Sequence, residues 1–410
     1  MRLLVTAALL VCACVPSSAQ LWNRMTSGSS AILNDVYFVD ELRGWAVGFE
    51  NTILATTDGG TTWSPQTPGT PANTGFHAVF FTSATEGWVA GLGNVLLKTV
   101  NGGATWTSVN TGVSNVNLRD IWFATPEIGY VVGGQGLTGT ILRTTNGGAS
   151  WSATTVQGGM NAVQFVSPTK GWVCGNRGAV YHTSDGINWV EQLPFGSDFT
   201  YSLLGIHMLN ENEGRVVGGR VGYDNATYPG MLHTVDGGQN WDFVATGTVA
   251  GKTDVHFFNG QEGWLSTTAP LGEGYPLRST SAGGGIGNWV VNTDSLPTIH
   301  ALHFHSPTLA WGVGDYGVIV RMGDVETGIR PAAAAPAVHL APNPARDQLR
   351  IEAGTTVLGA EVLTFDGRNC GPMQRTGSNV DVSALAPGMY LVRVFMQGHA
   401  SPTVLRFAKE

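Results

Sequence analysis

Charged residues are scarce in this sequence. Asp, Glu, Lys and Arg make up 12% of the 410 residues, about half of the usual share, and the formal net charge is −8. With 21 Lys and Arg against 29 Asp and Glu, the chain has no basic excess, which excludes nucleic acid and an anionic membrane surface as partners recognised by charge. Hydrophobic residues still reach 42%, enough to bury a core, so we expect a folded chain.

Cysteine and long apolar runs are also scarce. Only Cys174 and Cys370 follow the N-terminal leader, and they lie far apart in what we expect to be different domains. We therefore expect two free, buried thiols and no disulfide. No segment after the leader has 18 consecutive apolar residues, so no transmembrane segment is predicted.

Residues 1–19 have the features of a secretory signal peptide. Arg2 precedes the apolar run Leu3–Val15, and small residues end the segment at Ala19. A lipoprotein signal, with Cys14 as the lipidated residue, fits more loosely. The sequence therefore predicts export across the inner membrane.

Glycine and tryptophan, by contrast, are abundant, with 57 and 13 copies. An apolar strand followed by Gly-Trp or a variant recurs seven times, at spacings of 43, 42, 42, 43, 49 and 47 residues. A second motif follows in the best copies, as in Thr57–Trp63, and its Asp-Gly or Asn-Gly pair predicts a hairpin because these residues tolerate positive φ. We expect structural roles for the Asp or Asn and the Trp of each copy, which are Asp58 and Trp63, Asn101 and Trp106, Asn146 and Trp151, Asp185 and Trp189, and Asp236 and Trp241.

Each repeat divides into four strands, which is typical of a β-propeller blade. Seven copies predict an all-β chain with a seven-bladed β-propeller over residues 20–325. The seventh copy stops near Met322, after its third strand, whereas residues 21–26 read like the fourth strands of other copies. We expect this N-terminal segment to complete blade seven and to leave no exposed strand edge at the seam.

The pattern Gly-Trp-x-Val-Gly followed by Ile-Leu-x-Thr-x-Asp-Gly-Gly-x-x-Trp resembles the photosystem II assembly and stability factors. These are a branch of the Asp-box (BNR-like) propeller superfamily, and the resemblance covers residues 21–325. It implies the fold. It does not imply one activity, because the superfamily includes glycoside hydrolases, receptors and assembly factors.

An Ala- and Pro-rich linker at residues 326–337 leads into a C-terminal module, residues 338–410, for which we expect a small Ig-like β-sandwich. The module resembles the type A C-terminal sorting domain of the type IX secretion system. The resemblance implies that the module engages the type IX machinery and that the propeller is released or attached to the cell surface. The residues that carry it are Pro342, Asn343, Pro344, Gly367, Leu385, Gly388, Tyr390 and Lys409.

Alignment of the first strands of the repeats places one set of polar residues at a single position around the channel mouth. A polar ring of this kind is a candidate site for a small ligand or a partner. These side chains can instead bond the backbone of neighbouring blades, which is the role that we favour. The set comprises Asp35, His77, Asp120, Asn161, Asp254 and His300, with Gly205 in blade five.

The longest loops on the same face, in blades five to seven, contain four tyrosines. Aromatic side chains in adjacent loops can stack on sugars or anchor a protein, although such loops also vary without binding anything. The four candidates are Tyr223, Tyr228, Tyr275 and Tyr316.

Two positions after the polar set, three consecutive blades carry His207, His256 and His303. We predict no metal and no cofactor, because side chains on radial strands point around the ring and no Cys or carboxylate joins these histidines. An inverting glycosidase needs two carboxylates across a cleft, and Asp35 with Asp120 is the available pair.

We therefore predict a secreted or surface-attached, monomeric, non-catalytic binding or adhesion scaffold with an unknown protein or glycan ligand. The alternatives are an extracellular Asp-box glycoside hydrolase or lyase, and an assembly factor of the photosystem II family. The second alternative conflicts with the predicted export.

Overall fold

A computed structural model describes residues 22–192, 201–219, 231–244, 251–268, 273–274, 276–279, 289–291, 296–323, 339–353, 356–364, 370–371, 375–376, 378–396 and 403–410. The chain divides into two compact units, residues 1–325 and residues 326–410. Helix in the described ranges is limited to three short 3-10 turns, Leu92–Asn94, Asn176–Gly178 and Asp315–Gly317. The predicted signal peptide, the linker and Gly367 lie outside the described residues.

Seven four-stranded antiparallel sheets build the first unit, which confirms the predicted propeller. We number strands in chain order and name each sheet as a blade. The N-terminal strand is β1 (Trp22–Met25). Blade one is β2 (Leu33–Phe38), β3 (Gly44–Gly48), β4 (Ile53–Thr56) and β5 (Ser64–Pro65); blade two is β6 (Phe76–Phe81), β7 (Gly87–Gly91), β8 (Leu96–Thr99) and β9 (Thr107–Ser108); blade three is β10 (Asn117–Phe123), β11 (Gly129–Gln135), β12 (Thr138–Thr144) and β13 (Ser152–Gln157).

The remaining blades follow the same plan, and a two-stranded sheet lies beside blade six. Blade four is β14 (Met160–Phe165), β15 (Gly171–Gly175), β16 (Val180–Thr183) and β17 (Val190–Glu191); blade five is β18 (Ser202–Met208), β19 (Gly214–Gly219), β20 (Met231–Thr234) and β21 (Asp242–Val244). Blade six is β22 (Gly251–Phe257), β23 (Gly263–Thr268), β25 (Leu277–Ser279) and β26 (Trp289–Val291), the extra pair is β24 (Glu273–Gly274) and β27 (Leu296–Pro297), and blade seven contains β28 (Ile299–Ser306), β29 (Leu309–Gly314) and β30 (Ile319–Met322).

Burial follows the position of a strand within its blade. The first strands of neighbouring blades contact one another in a closed ring, β2, β6, β10, β14, β18, β22, β28 and back to β2, and so surround the central channel. Every residue of β3, β7 and β15 is buried, because both faces of these second strands pack against neighbouring blades. The short outer strands β5 and β9 are exposed.

The fourth strand of blade seven is β1. It pairs antiparallel with β30, from Trp22 opposite Met322 to Met25 opposite Ile319. The Trp22 side chain is 3% exposed and packs edge-on against Trp264 of blade six, with ring centroids 5.6 Å apart. The first and last strands of the propeller thus share one sheet, and this sheet closes the ring.

Adjacent blades are joined by aromatic stacking. In four blades the aromatic residue of the Gly-Trp motif stacks on a Phe at the end of the first strand of the next blade; for example, Trp45 stacks on Phe81 with centroids 3.4 Å apart, and Tyr130 stacks on Phe165 at 3.8 Å. The Phe also needs the glycine of the Gly-Trp motif in its own blade, because a Cβ on Gly87 would lie 2.4 Å from the Phe81 ring. Phe81 thus lies between Trp45 of blade one and Gly87 of blade two.

The Asp-Gly and Asn-Gly turns are closed by their own side chains. In blade one, Asp58 Oδ1 accepts hydrogen bonds from the Thr56 hydroxyl (2.8 Å) and from the backbone N–H of Thr62 (2.9 Å). Thr56 Oγ1 in turn accepts the N–H of Gly60, whose φ is +88°. The side chain at the Asp58 position also accepts from its own turn in the other copies, at Asn101, Asn146, Asp185 and Asp236.

Two sheets of the second unit share one hydrophobic core. One sheet has the order β31 (His339–Ala341), β32 (Gln348–Glu352), β35 (Asn379–Asp381), β34 (Arg375–Thr376), and the other has the order β33 (Val357–Thr364), β36 (Gly388–Met396), β37 (Thr403–Lys409). Ile351 and Val380 from the first sheet meet Val362, Val392 and Phe407 from the second.

Cys174 and Cys370, the two cysteines that follow the leader, form no disulfide in the part of the chain that the structure describes. Cys174 is buried in the propeller and Cys370 is half-buried in the second unit. Burial raises the pKa of the Cys174 thiol far above its usual range, so this thiol stays protonated. No helix within the described residues has the length and apolar character to cross a bilayer.

Candidate binding face around the central channel

A β-bulge interrupts the pairing of the first and second strands in every blade, near the channel mouth. In blade one the register shifts between Leu33 and Asp35, so that Asn34 is the extra residue. In blade two the shift lies between Phe76 and Ala78, so that His77 is the extra residue. The remaining blades shift in the same place, at Arg119, Asn161, Leu204, Thr253 and His300.

The bulge corrects the predicted alignment of the polar ring. Asp35, Asp120 and Asp254 lie one residue after the bulge, in register with Gly205 and with Ala78, Ala162 and Ala301. His77, Asn161 and His300 lie on the bulge itself. The predicted single ring is therefore two adjacent rings: the three aspartates lie ten residues before the second residue of the Gly-Trp motif, and the other three side chains lie eleven residues before it.

Each of the three aspartates joins its own blade to the next one. Asp120 Oδ1 accepts the N–H of Ile121 at 2.7 Å, and Oδ2 accepts the N–H of Val163 in blade four at 2.8 Å. Asp35 bonds Val79 of blade two and Asp254 bonds Leu302 of blade seven in the same way, each at 2.8 Å. Each carboxylate therefore has both oxygens engaged by backbone, and each blade with an aspartate is followed by a blade with alanine.

These carboxyl groups line the channel and titrate at unusually high pH. Desolvation by the surrounding protein raises the pKa of Asp120 to about 7 and that of Asp254 to about 6. Burial also raises the pKa of Asp35 well above its usual range, and the like charges of Asp120 and Asp254 add to the shift. Three mutually repelling carboxylates are thus held together because the backbone N–H groups offset part of the cost.

Three of the seven residues on the bulge ring, Asn34, Asn161 and Thr253, bond the next blade as well. The Asn34 and Asn161 side-chain amides donate to the carbonyls of Phe76 and Leu203, at 2.7 and 2.8 Å. His300 instead pairs with Asp315 in its own blade, with 2.8 Å between Nε2 and Oδ1. His77 and Arg119 differ: within the described residues His77 Nε2 is buried without a partner, and no carboxylate lies within ion-pair distance of Arg119.

The three histidines beyond the polar rings point around the channel. His207 Nδ1 accepts the backbone N–H of Phe257 at 3.3 Å, and its ring lies 4.4 Å from that of His256. Burial lowers the pKa of His256 to about 4 and that of His303 to about 3, so these rings stay neutral. Among the described residues no three His, Cys, Asp or Glu side chains are placed to hold a metal ion.

Of the four candidate tyrosines, the structure describes Tyr316. It occupies the tip of the turn between β29 and β30, is 73% exposed and has φ of +56°. The equivalent turn of blade four has Arg177 at φ +63°, where blade two has Gly93. Large side chains in this conformation cost about 1–2 kcal/mol relative to glycine. Tyr223, Tyr228 and Tyr275 lie outside the described residues.

A small polar pocket opens on this face between blades three and four. Its volume is about 90 Å³, and its side chains include Asn117, Arg119, Gln135, Asn161 and Asn176. Sequence reasoning identified Asn161 but missed Arg119. The signal that could have identified Arg119 is its position directly before Asp120. This position becomes informative only when residue 119 is known to form the bulge.

In the second unit, the sequence Pro342-Asn343-Pro344 lies against the last strand. Asn343 Oδ1 accepts the N–H of Ala408 at 2.9 Å, and the Ala345 N–H donates to the Ala408 carbonyl at 2.8 Å. The Tyr390 ring packs 5.8 Å from Phe407 in the core, next to which Leu385 is half-buried. Gly388 begins β36 opposite Lys409, whose side chain is 9% exposed. The motif thus ties the two ends of the module together.

Comparison with known proteins supports both parts of the chain. Residues 15–115 and 156–253 match the family model of photosynthesis system II assembly factor YCF48, and residues 339–403 match the secretion system C-terminal sorting domain. The expected resemblance is therefore confirmed, and the sorting domain indicates type IX export to the cell surface or the medium. No curated protein matches by sequence.

Solved structures show the same propeller fold. YCF48 bound to D1 peptide has 23% identity and a TM-score of 0.60, over 74% of this chain and 95% of that one. YCF48 from Cyanidioschyzon merolae has 22% identity and a TM-score of 0.56, over 74% and 98%. The GH74 xyloglucanase from Xanthomonas campestris has 12% identity and a TM-score of 0.57, over 94% and 67%. At these identities the likeness extends to the fold and not to the activity.

Proposed function

We propose that this chain, whose propeller resembles the photosystem II assembly factors and whose C-terminal module is a secretion system sorting domain, is an exported propeller that binds a ligand without transforming it. A signal peptide at residues 1–19 would take it to the periplasm, and the sorting domain would take it across the outer membrane. The propeller is then the cargo, released or attached to the cell surface. A photosystem role is not proposed, because a sorting domain directs the chain outside.

The proposal of a non-catalytic role rests on the hydrogen bonds that backbone N–H groups donate to the channel carboxylates. A glycosidase needs one carboxyl group free to protonate the leaving group and a second free to activate water or attack the sugar. Asp35, Asp120 and Asp254 instead each accept two backbone N–H groups, one from the adjoining blade. Their geometry stabilises the ring and leaves them poorly placed for proton transfer to a substrate.

The face around the channel mouth is the proposed binding surface. It carries the exposed Tyr316, the strained turn of Arg177 and the pocket beside Arg119. Strained residues occur preferentially where a ligand is held, since elsewhere glycine would occupy the position at no cost. The opposite face carries the Asp-Gly and Asn-Gly turns, whose Asp and Asn side chains accept backbone N–H groups of the same turn.

The experiment is a screen of the mature protein against polysaccharides that records binding and product release together. The proposal expects a bound glycan with no new reducing ends or unsaturated products. Turnover that disappears in Asp254→Asn, with the variant still folded by circular dichroism, would establish the glycoside hydrolase or lyase alternative. A Tyr316→Ala variant that binds as well as the wild type would remove this tyrosine from the binding surface.

A further inference from the structure

The pocket between blades three and four differs from the rest of the channel-mouth face because its side chains offer hydrogen-bond donors. Asn117 uses its carbonyl oxygen to accept the N–H of Gly93 at 3.0 Å. Asn176 uses its carbonyl oxygen to accept the amide of Asn161 at 3.0 Å. The NH₂ groups of Asn117 and Asn176 therefore remain as donors.

The pocket is also positively charged. Its lining includes Arg119 and no Asp or Glu. Asp120, the nearest carboxyl group in sequence, has both oxygens engaged by backbone N–H groups. The Arg119 charge reaches His77, whose pKa falls to about 4 through burial first and this neighbouring charge second. Among the described residues that line the pocket, the Arg119 guanidinium is therefore the one charged group.

Donors that surround an uncompensated guanidinium are the partners that an oxyanion needs, and a planar guanidinium matches a carboxylate with two parallel hydrogen bonds. The volume of about 90 Å³ equals about three water molecules in the liquid. It therefore admits a carboxylate and the carbon that bears it, with the remainder of the ligand on the rim.

We propose that this pocket binds the carboxylate of an acidic sugar, a uronic acid within a polysaccharide. The inference rests on the proposed binding function and deepens it. The lining favours a sugar over a protein, because protein interfaces are enriched in buried aromatic side chains, whereas this pocket is lined by amides, glycines, Arg119 and one buried methionine, Met160.

The test uses the full mature chain and trigalacturonic acid, with its methyl ester as the neutral match. We expect titration calorimetry to show binding of the acid and at least tenfold weaker binding of the ester. Arg119→Gln should weaken binding of the acid at least tenfold, since it removes the charged donors. Arg43→Gln is the matched control: this arginine lies at the opposite end of blade one, paired with Asp40, and its loss should leave affinity unchanged.

The pKa of His77 provides a second measurement, which distinguishes loss of the Arg119 charge from a folding defect. Loss of the Arg119 charge, by Arg119→Gln or by a bound carboxylate, should raise the pKa of His77 followed by NMR, whereas Arg43→Gln should not. Equal binding of acid and ester, or full affinity in Arg119→Gln, would overturn the proposal. Binding of polyglutamate but not of the uronate, lost in Arg119→Gln, would overturn the sugar assignment. A neutral glycan bound on this face would also refute it while leaving the proposed function intact.

Discussion

The indole N–H of Trp311 donates a hydrogen bond of 2.9 Å to the carbonyl of Gly59, across 252 residues of sequence. The same indole stacks on Phe38 with ring centroids 3.5 Å apart. Trp311 belongs to blade seven, and Gly59 and Phe38 belong to blade one. One side chain therefore seals the seam of the ring by stacking and by a hydrogen bond to a turn of the next blade. Trp45 and Trp172 bond Gly102 and Gly237 in the same way.

Trp311→Phe should lower the free energy of unfolding by about 1 kcal/mol more than Trp88→Phe does. Both changes keep an aromatic ring on the next blade, but Trp88 Nε1 has no hydrogen-bond partner within the described residues, so replacing Trp88 breaks no hydrogen bond there. Urea denaturation of the two variants measures the difference. Equal losses of stability would mean that the bond to Gly59 contributes nothing at the seam.

Trp22→Ala should destabilise the propeller by about 3–5 kcal/mol, since the side chain is buried against Trp264 and β1 is the last strand of blade seven. Asn23→Ala, on the exposed side of the same strand, is the control and should change little. Deletion of residues 21–27 should expose β30 and cause aggregation. Thermal melting checks all three, and an unchanged melting temperature after deletion would refute closure by this strand.

The carboxyl group of Asp120 should make stability fall as pH rises toward 8. Its folded-state pKa is raised to about 7, above the unfolded value, so its contribution is complete below the unfolded pKa and is lost as pH passes through about 7. Asp120→Asn cannot titrate. The free energy of unfolding of the wild type minus that of the variant should therefore decrease steadily between pH 5 and pH 8 in urea titrations.

The difference between wild type and variant isolates Asp120 from other groups. Buried histidines such as His256, with a lowered pKa, oppose the trend below about pH 6.5, and Lys252, with a pKa of about 8, opposes it at the alkaline end. A difference that stays constant over the whole range would show that Asp120 is ionised throughout.

Removal of residues 338–410 should leave a folded propeller in the periplasm of a host that has the type IX machinery. The sorting domain matches residues 339–403, and the propeller is a separate compact unit. Leu358→Ala, at an exposed position of β33, is the control and should be exported normally. Cell fractionation with immunoblotting measures location. Truncated protein on the surface or in the medium would mean that the module is not needed for export.

Short-range patterns made the blade predictable. The Gly-Trp pair is readable because a Cβ at its glycine would meet the Phe of the preceding strand, and the Asp-Gly turn is readable because its glycines have positive φ. Both constraints act within one repeat: the motif glycine is present in six repeats, and the Asp-Gly or Asn-Gly turn recurs in five. The missing fourth strand of the last repeat and the matching N-terminal segment then identified β1, which pairs with β30.

The bulges were not predictable from the same patterns. His77 lies on the bulge, eleven residues before Trp88, whereas Asp35 lies ten residues before Trp45, so the aligned polar set mixed two rings. The pocket depends on a further step, because Asn117 and Arg119 come from blade three and Asn161 and Asn176 from blade four.

The sequence by itself determined the repeat, the number of blades, the closing strand and the sorting module, since each depends on residues close in the chain or on a pattern repeated along it. Only the tertiary structure decided which polar groups are satisfied. Asp35, Asp120 and Asp254 find their partners in the adjoining blade, 44, 43 and 48 residues away. Arg119 has no such partner among the residues that the structure describes, and hydrogen bonding between blades is set by strand register, which no local pattern records.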